Sequence, residues 1–203
     1  MIVIVDYGVG NTGSLLNMFR RLGKMAKLSN SPEEISTASH LVLPGVGAYD
    51  HAVKRLDSYD GLREALHDAV VDRGHPILGV CLGMQLLVKS SAEGEGEGLG
   101  WIEGDAVRFD SAHGMRVPHM GWNTVNRTAS SPLVDGLPDD SRFYFVHSYH
   151  VELVNRQDEL LSTDYGVQFS SAICRDNIMG VQFHPEKSHR YGLALLRNFT
   201  ELC

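Results

Sequence analysis

Residues 76–87 read "PILGVCLGMQLL". A short Ile/Leu/Val run leads into Cys81 and an apolar, helix-like run leaves it, so the cysteine sits where a buried strand turns into a helix. Gly79 and Gly83 stand two positions to either side, which gives G-x-C-x-G. That is the form of a nucleophile elbow, in which flanking glycines permit a tight turn that lifts the nucleophile above a sheet. A thiolate at a helix N-terminus is stabilised by the helix dipole, and the Leu82 amide points where an oxyanion would form. A cysteine buried for packing alone would not call for paired glycines.

The same texture extends upstream. "MIVIV" (1–5) reads as a buried strand, and Ser14 to Leu22 as a helix with Leu15, Leu16, Met18, Phe19 and Leu22 on its apolar face. "MAKLS" is a second strand candidate. "SPEEI" opens a helix with Ser31 as N-cap, Pro32 at the first helical position and Glu34 completing a capping box. "HLVLPG" is a strand running into a Gly turn. Leu62 to Arg73 is helical, stopped by Gly74 and Pro76. Strand–helix alternation of this kind predicts an α/β fold, a mostly parallel central sheet flanked by helices.

After Gly98 the pattern becomes β-rich and partly antiparallel, with strand candidates at "AVRFD", "RFYFVHSYHVEL", "VQFSSAICRD" and "IMGVQFHP". A helix from Tyr191 to Leu202 closes the chain. "SSAEGEGEGLG" reads as a solvated loop. No linker or repeat splits the sequence, so residues 1–203 are expected to form one domain.

A thiolate nucleophile needs a proton carrier, and "GVQFHPEKS" supplies one. A strand delivers His184, Pro185 ends ladder pairing, and Glu186 follows two positions on, where an extended segment returns to the same face. An acid there fixes the tautomer of a histidine facing the cysteine. Cys81, His184 and Glu186 form a candidate Cys-His-Glu triad.

Other chemistries are weaker. Gly8, Gly10 and Gly13 spell G-x-G-x-x-G, but the ribose-binding acid expected about 20 residues on would be Glu33 or Glu34, already placed in a capped helix. Asp6 would also oppose a pyrophosphate, so the glycines are read as backbone geometry and no cofactor is expected. His147 and His150, three apart on one strand, would face opposite ways. His113 and His119 lie in loop-like sequence without a ligand cluster, so no metal is expected. A net charge of -7 argues against a nucleic-acid surface. Three scattered cysteines suit a reducing cytoplasm, and the apolar runs are too short for a membrane span.

Taken together, "GVCLGMQ" and "GVQFHPEKS" resemble the class I, triad-type glutamine amidotransferases, a flavodoxin-like fold, as do "LPGVGAY" and "VHSYHV". Within that superfamily "PGVGA", "GMQ", "PHMGWN", "FYFVHSY" and "HPEKS" resemble the glutaminase subunits of imidazole glycerol phosphate synthases of histidine biosynthesis, from "DYGVGN" to the last helix. Glutaminases of anthranilate and aminodeoxychorismate synthases usually have "PGPG" and "GHQ" instead. The resemblance implies glutamine hydrolysis, with Gly47, Gln85, Ser148 and Tyr149 lining the glutamine site and the Val46 and Leu82 amides serving the oxyanion. Gln85, four residues past Cys81, shares its helix face. The implied partner is a (β/α)8-barrel cyclase subunit, in a heterodimer through which ammonia is channelled to make imidazole glycerol phosphate and an aminoimidazole carboxamide ribotide. "VPHMGWN" (Pro118, His119, Met120, Gly121, Trp122, Asn123) is read as a Gly-containing loop whose Met and Trp are docking anchors. Asn11 and Lys187 join it at the same end of the sheet as Cys81. A cysteine hydrolase of other specificity and a catalytically silent partner protein are the competing readings.

Overall fold

Val3 and Val5 of the first strand face one hydrophobic layer, Ile2 and Ile4 the other, and this alternation sets the three-layer architecture. The computed structural model describes residues 1–110, 116–201 and 203. In chain order the first half runs β1 (Ile2–Val5), α1 (Thr12–Arg21), β2 (Ala26–Ser29), α2 (Pro32–Ser36), β3 (His40–Gly45), α3 (Tyr49–Asp57), α4 (Leu62–His67), β4 (Ile77–Cys81) and α5 (Leu82–Gln85). The second half runs β5 (Ser90–Ser91), β6 (Gly104–Arg108), β7 (His119–Thr124), β8 (Asn126–Arg127), β9 (Arg142–His147), β10 (Tyr149–Leu153), β11 (Glu159–Tyr165), β12 (Val167–Arg175), β13 (Ile178–Val181) and α6 (His189–Glu201).

The main sheet is ordered β2-β1-β3-β4-β13-β12-β10-β6-β5, with β11 beside β12 and β8 beside β11. From β2 to β13 neighbouring strands are parallel, and from β13 to β6 they are antiparallel. The central strands β1, β3 and β4 are apolar and buried nearly throughout, as a parallel sheet covered on both faces requires. Ile35, Ala52, Leu56, Leu62 and Leu66 cover the Val3/Val5 face, while Leu15, Phe19, Leu195 and Phe199 cover the other. The pairing of Gly45 with Cys81 and of Val181 with Val80 brings the C-terminal ends of β3, β4 and β13 to one edge. In open α/β sheets that edge is where sites form.

Several expectations need correction. Helix α1 begins at Thr12 rather than Ser14, and Leu16 and Leu22 are only partly buried. Ser31 caps α2 in position, but its side chain makes no capping bond, and the Glu34 carboxylate pairs with Lys27 on β2 at 2.8 Å instead of closing a capping box. The helix expected from Leu62 to Arg73 is α-helical only to His67. Asp68–Asp72 form a wider π-helical turn that keeps both Ala69 and Val70 in the core. Helix α3 and strand β11 were not anticipated. "RFYFVHSYHVEL" is two strands, broken at Ser148: β9 pairs with β7 in a separate two-stranded sheet, and β10 joins the main sheet. The last helix is His189–Glu201; Leu202 and His113 lie outside the described residues. The Glu/Gly stretch is not merely solvated: Glu95 and Glu97 are exposed, while the Gly96 amide donates to Asp50 Oδ1 at 2.9 Å. No helix of the described residues is long and apolar enough to cross a membrane.

Candidate active site

Cys81 ends β4 with φ 56° and ψ -110°, a backbone geometry that disfavours every residue with a Cβ. The glycines beside it make room for the turn. A Cβ at Gly79 would come 2.7 Å from the Gly83 carbonyl oxygen, and one at Gly83 would run into the carbonyl of Leu43. Helix α5 therefore lies backbone-to-backbone on β3 and β4, which leaves the thiol at the edge of the sheet. Cys81 is a free cysteine, 6% exposed.

His184 arrives from the other side. After β13 its amide donates to the Tyr144 carbonyl at 2.8 Å, and its own carbonyl accepts from Ser188 Oγ at 2.6 Å. Residues 185–187 form a 3-10 turn rather than continuing the extended strand. That turn, and not strand alternation, folds the Glu186 carboxylate back to 2.9 Å from His184 Nδ1. Both side chains are almost fully enclosed. Among the described residues no nitrogen or oxygen pairs with His184 Nε2, which leaves it for the Cys81 side. Burial pulls this imidazole down, but Cys81 and Glu186 together outweigh it and raise it to about 9. At neutral pH His184 carries its proton.

A cleft of about 560 Å³ opens over the cysteine. Cys81 and His184 line it, as do Val46, Gly47, Leu82, Gln85, Ser148 and Tyr149. So do Asn11, Pro118 and Lys187, expected at the docking surface. Glu186 sits behind His184, outside the lining. Gln85 is buried and its amide donates to the Tyr149 carbonyl and to Gln182 Oε1, each at 3.1 Å. Gly47 has φ +94°, which turns the chain just beyond β3 and leaves Val46 exposed at the mouth.

The stretch 118–123 corrects the loop expectation. Residues 119–124 are a strand, registered Met120 to Val146 and Trp122 to Tyr144. Alternation sends Met120 and Trp122 outward, 62% and 46% exposed, while His119 is buried and Asn123 half-buried. His119 is thus not available as a surface contact. Trp122 stacks on His189 at 5.4 Å.

Sequence reasoning missed Gln182, fully buried, whose Nε2 donates to Cys81 Sγ at 3.7 Å. Its signal was present, two residues before His184. Glu93 was missed within the Glu/Gly stretch: it lines the cleft and accepts the Tyr49 amide at 3.1 Å. Val146 and His147 line it too. His147 and His150 belong to different strands and both stand against Phe109. Among the described residues no group of three or more His, Cys, Asp or Glu side chains could hold a metal ion.

A strained cysteine, a His–Glu pair beside it and a cleft with polar side chains in its walls are the parts of an acyl-transfer site acting on an amide. The chain belongs to the class-I glutamine amidotransferases, whose family model matches residues 3–202. Among its relatives is imidazole glycerol phosphate synthase subunit HisH 2 of Pseudomonas aeruginosa, 50% identical with all of both chains covered. The protein of the same name from Methanococcus maripaludis is 48% identical over 99% of each chain. The fold is also similar to a solved glutamine amidotransferase, with a TM-score of 0.74 at 22% identity, covering 100% of this chain and 98% of that one.

Proposed function

We propose that residues 1–203 work as one glutamine amidotransferase domain, the cytoplasmic glutaminase subunit of an imidazole glycerol phosphate synthase. It hydrolyses glutamine to glutamate and ammonia, and the ammonia passes to a (β/α)8-barrel cyclase subunit for histidine biosynthesis. The observation that carries the reading is the strained Cys81 beside a His184 that holds its proton at neutral pH.

The steps follow from that pair. Cys81 Sγ, as thiolate, bonds to the side-chain amide carbon of glutamine, and the Val46 and Leu82 amides receive the developing oxyanion. The C–N bond breaks as His184 Nε2–H gives its proton to the departing nitrogen, releasing ammonia and leaving a γ-glutamyl thioester. His184, now neutral, takes a proton from water. The hydroxide adds to the thioester carbon, the C–S bond breaks, and glutamate leaves with the thiolate restored. Glu186 holds His184 in the tautomer that presents Nε2 to the thiol. Gly47, Gln85, Ser148 and Tyr149 hold the amino acid. No cofactor or metal enters these steps.

Ammonia released into water at neutral pH is protonated and lost to chemistry, so the acceptor site must dock over the cleft. Met120 and Trp122 on the outer face of β7, with Asn11, Pro118 and Lys187 at the rim, are the docking surface. The test is glutamate release by the chain alone and with a cyclase subunit carrying its substrate. Low activity alone and strong stimulation by the cyclase are expected; no stimulation by any cyclase subunit overturns the partner assignment. Trp122→Ala should weaken association by about 2 kcal/mol. A folded Trp122→Ala protein with unchanged affinity removes β7 from the interface.

A further inference from the structure

From the wall of the cleft inward, His147 and then His119 are threaded through an aromatic core in a hydrogen-bonded order that can be fixed atom by atom. His147 Nδ1 lies 2.8 Å from the Tyr149 carbonyl oxygen, which can only accept, so Nδ1 carries the proton. His147 Nε2 is then a lone pair, and His119 Nδ1, 2.9 Å away, must donate to it. His119 Nε2 is in turn an acceptor and faces Asn123 Nδ2 at 3.3 Å. The Asn123 amide is held in that orientation: its Oδ1 accepts the Thr124 amide at 2.9 Å and its Nδ2 also donates to the Asp164 carbonyl at 3.0 Å. Burial pushes His119 down to about 4 and His147 to about 3, so both rings are neutral at pH 7 and each has one donor and one acceptor.

The far end of this chain is the cleft. The Tyr149 carbonyl that accepts from His147 also accepts from Gln85, and Gln85 reaches Gln182, which donates to Cys81 Sγ. Phe145 and Tyr165 stack on His119 at 4.7 and 3.9 Å, and Phe169 stands edge-on. A phenylalanine would suit those neighbours without desolvating two ring nitrogens. Packing alone does not ask for histidine here. We propose that His119 and His147 are positioning residues for glutamine binding: together they fix the Tyr149 carbonyl, and through it Gln85, and they tie the exposed strand β7 to the cleft. This rests on the cleft being the glutamine site.

The experiment uses glutaminase kinetics at saturating cyclase subunit, so that altered docking does not enter. His119→Phe keeps the ring stacking and removes the donor; it should raise KM for glutamine about tenfold with kcat within about twofold. His119→Asn, which places an N–H where Nδ1 was, should recover most of that loss. A folded His119→Phe protein with wild-type KM, or a His119→Asn protein no better than it, overturns the proposal. Nitrogen-15 NMR of the wild-type chain tests it without a variant. Both rings should be neutral Nδ1–H tautomers, and the His147 Nδ1–H signal should move when a glutamine-like affinity label occupies Cys81. Nε2–H tautomers, or an unmoved signal, sink it. Wild-type protein that releases no glutamate with the cyclase present overturns the glutaminase reading instead, before any variant is made.

Discussion

Two strand-to-helix turns stand at the same edge of the sheet, with β3 between them, and each is marked by glycines. After β1 the positive φ angles fall on Gly8 (79°) and Gly10 (128°), residues that adopt them without steric cost. After β4 the positive φ falls on Cys81, and neighbouring Gly79 and Gly83 serve the close approach of α5 to the sheet. The first turn is relaxed by its glycines; the second is clamped by them around a strained residue. Glycine spacing alone does not tell these uses apart. What distinguishes them is which residue bears the conformation: at the second turn a non-glycine, Cys81, is held there at a cost of about 1–3 kcal/mol.

Substitution at Cys81 is the strongest way to break that contrast. Cys81→Ala should cut glutamate release at least about 10³-fold with the cyclase present. Wild-type release by Cys81→Ala ends the assignment of the nucleophile. Cys81→Gly should be equally inactive, yet more stable than Cys81→Ala by about 1 kcal/mol in urea denaturation, because only glycine relieves the turn. Equal stability would mean the turn stores no strain.

Glu186→Gln comes next, with an expected loss of about 10²-fold. His184 is held at about 9 against its usual 6.5, so the folded protein keeps this proton more tightly than the unfolded chain. Its contribution to stability is complete below about pH 6.5 and lost as pH rises through about 9. Activity should fall over the same alkaline limb, and Glu186→Gln should move that limb down by about one unit or more. A pH–rate profile with the limb unmoved would detach Glu186 from His184. Smaller in effect, Gly83→Ala should destabilise the fold by about 2 kcal/mol, since its Cβ meets the rigid Leu43 carbonyl. An unchanged urea midpoint would show that α5 can lift off β3.

The centre of the parallel half was legible because β1, β3 and β4 are nearly continuous apolar runs, and the Cys81 turn because glycine punctuation is local. Cys81 and His184 were picked out this way, and Gly47, Gln85, Ser148 and Tyr149 through the family resemblance; all of them line one cleft. The rest depends on long-range packing. Strand β7 reads as a loop because Met120 and Trp122 are apolar on its exposed side while His119 is polar on its buried side, the reverse of the usual pattern. The break at Ser148 carries no glycine or proline; it arises because β9 and β10 go to different sheets. Glu93 lies in a compositionally bland stretch, and only Tyr49, on a helix the pattern did not reveal, shows where it is held. Gln182 was hidden by its neighbour: His184 drew the chemical argument, while the amide two residues earlier makes the hydrogen bond to the thiol.

The smallest expected effect bears most directly on the first turn. In a dinucleotide-binding turn the third glycine of G-x-G-x-x-G is required for close packing of helix on strand. Here that position is Gly13, the second residue of α1, and a Cβ built there meets nothing within 4 Å. Its φ is not among the positive ones either. Alanine would therefore add no clash, would reduce the freedom of the unfolded chain, and would favour the first turn of the helix. Gly13→Ala should stabilise the protein by about 0.5–1 kcal/mol, read as a higher urea midpoint at unchanged slope, with glutaminase activity retained. A destabilised Gly13→Ala protein would mean that this glycine is needed for contacts at the turn, and the two turns would then be more alike than their backbone angles indicate.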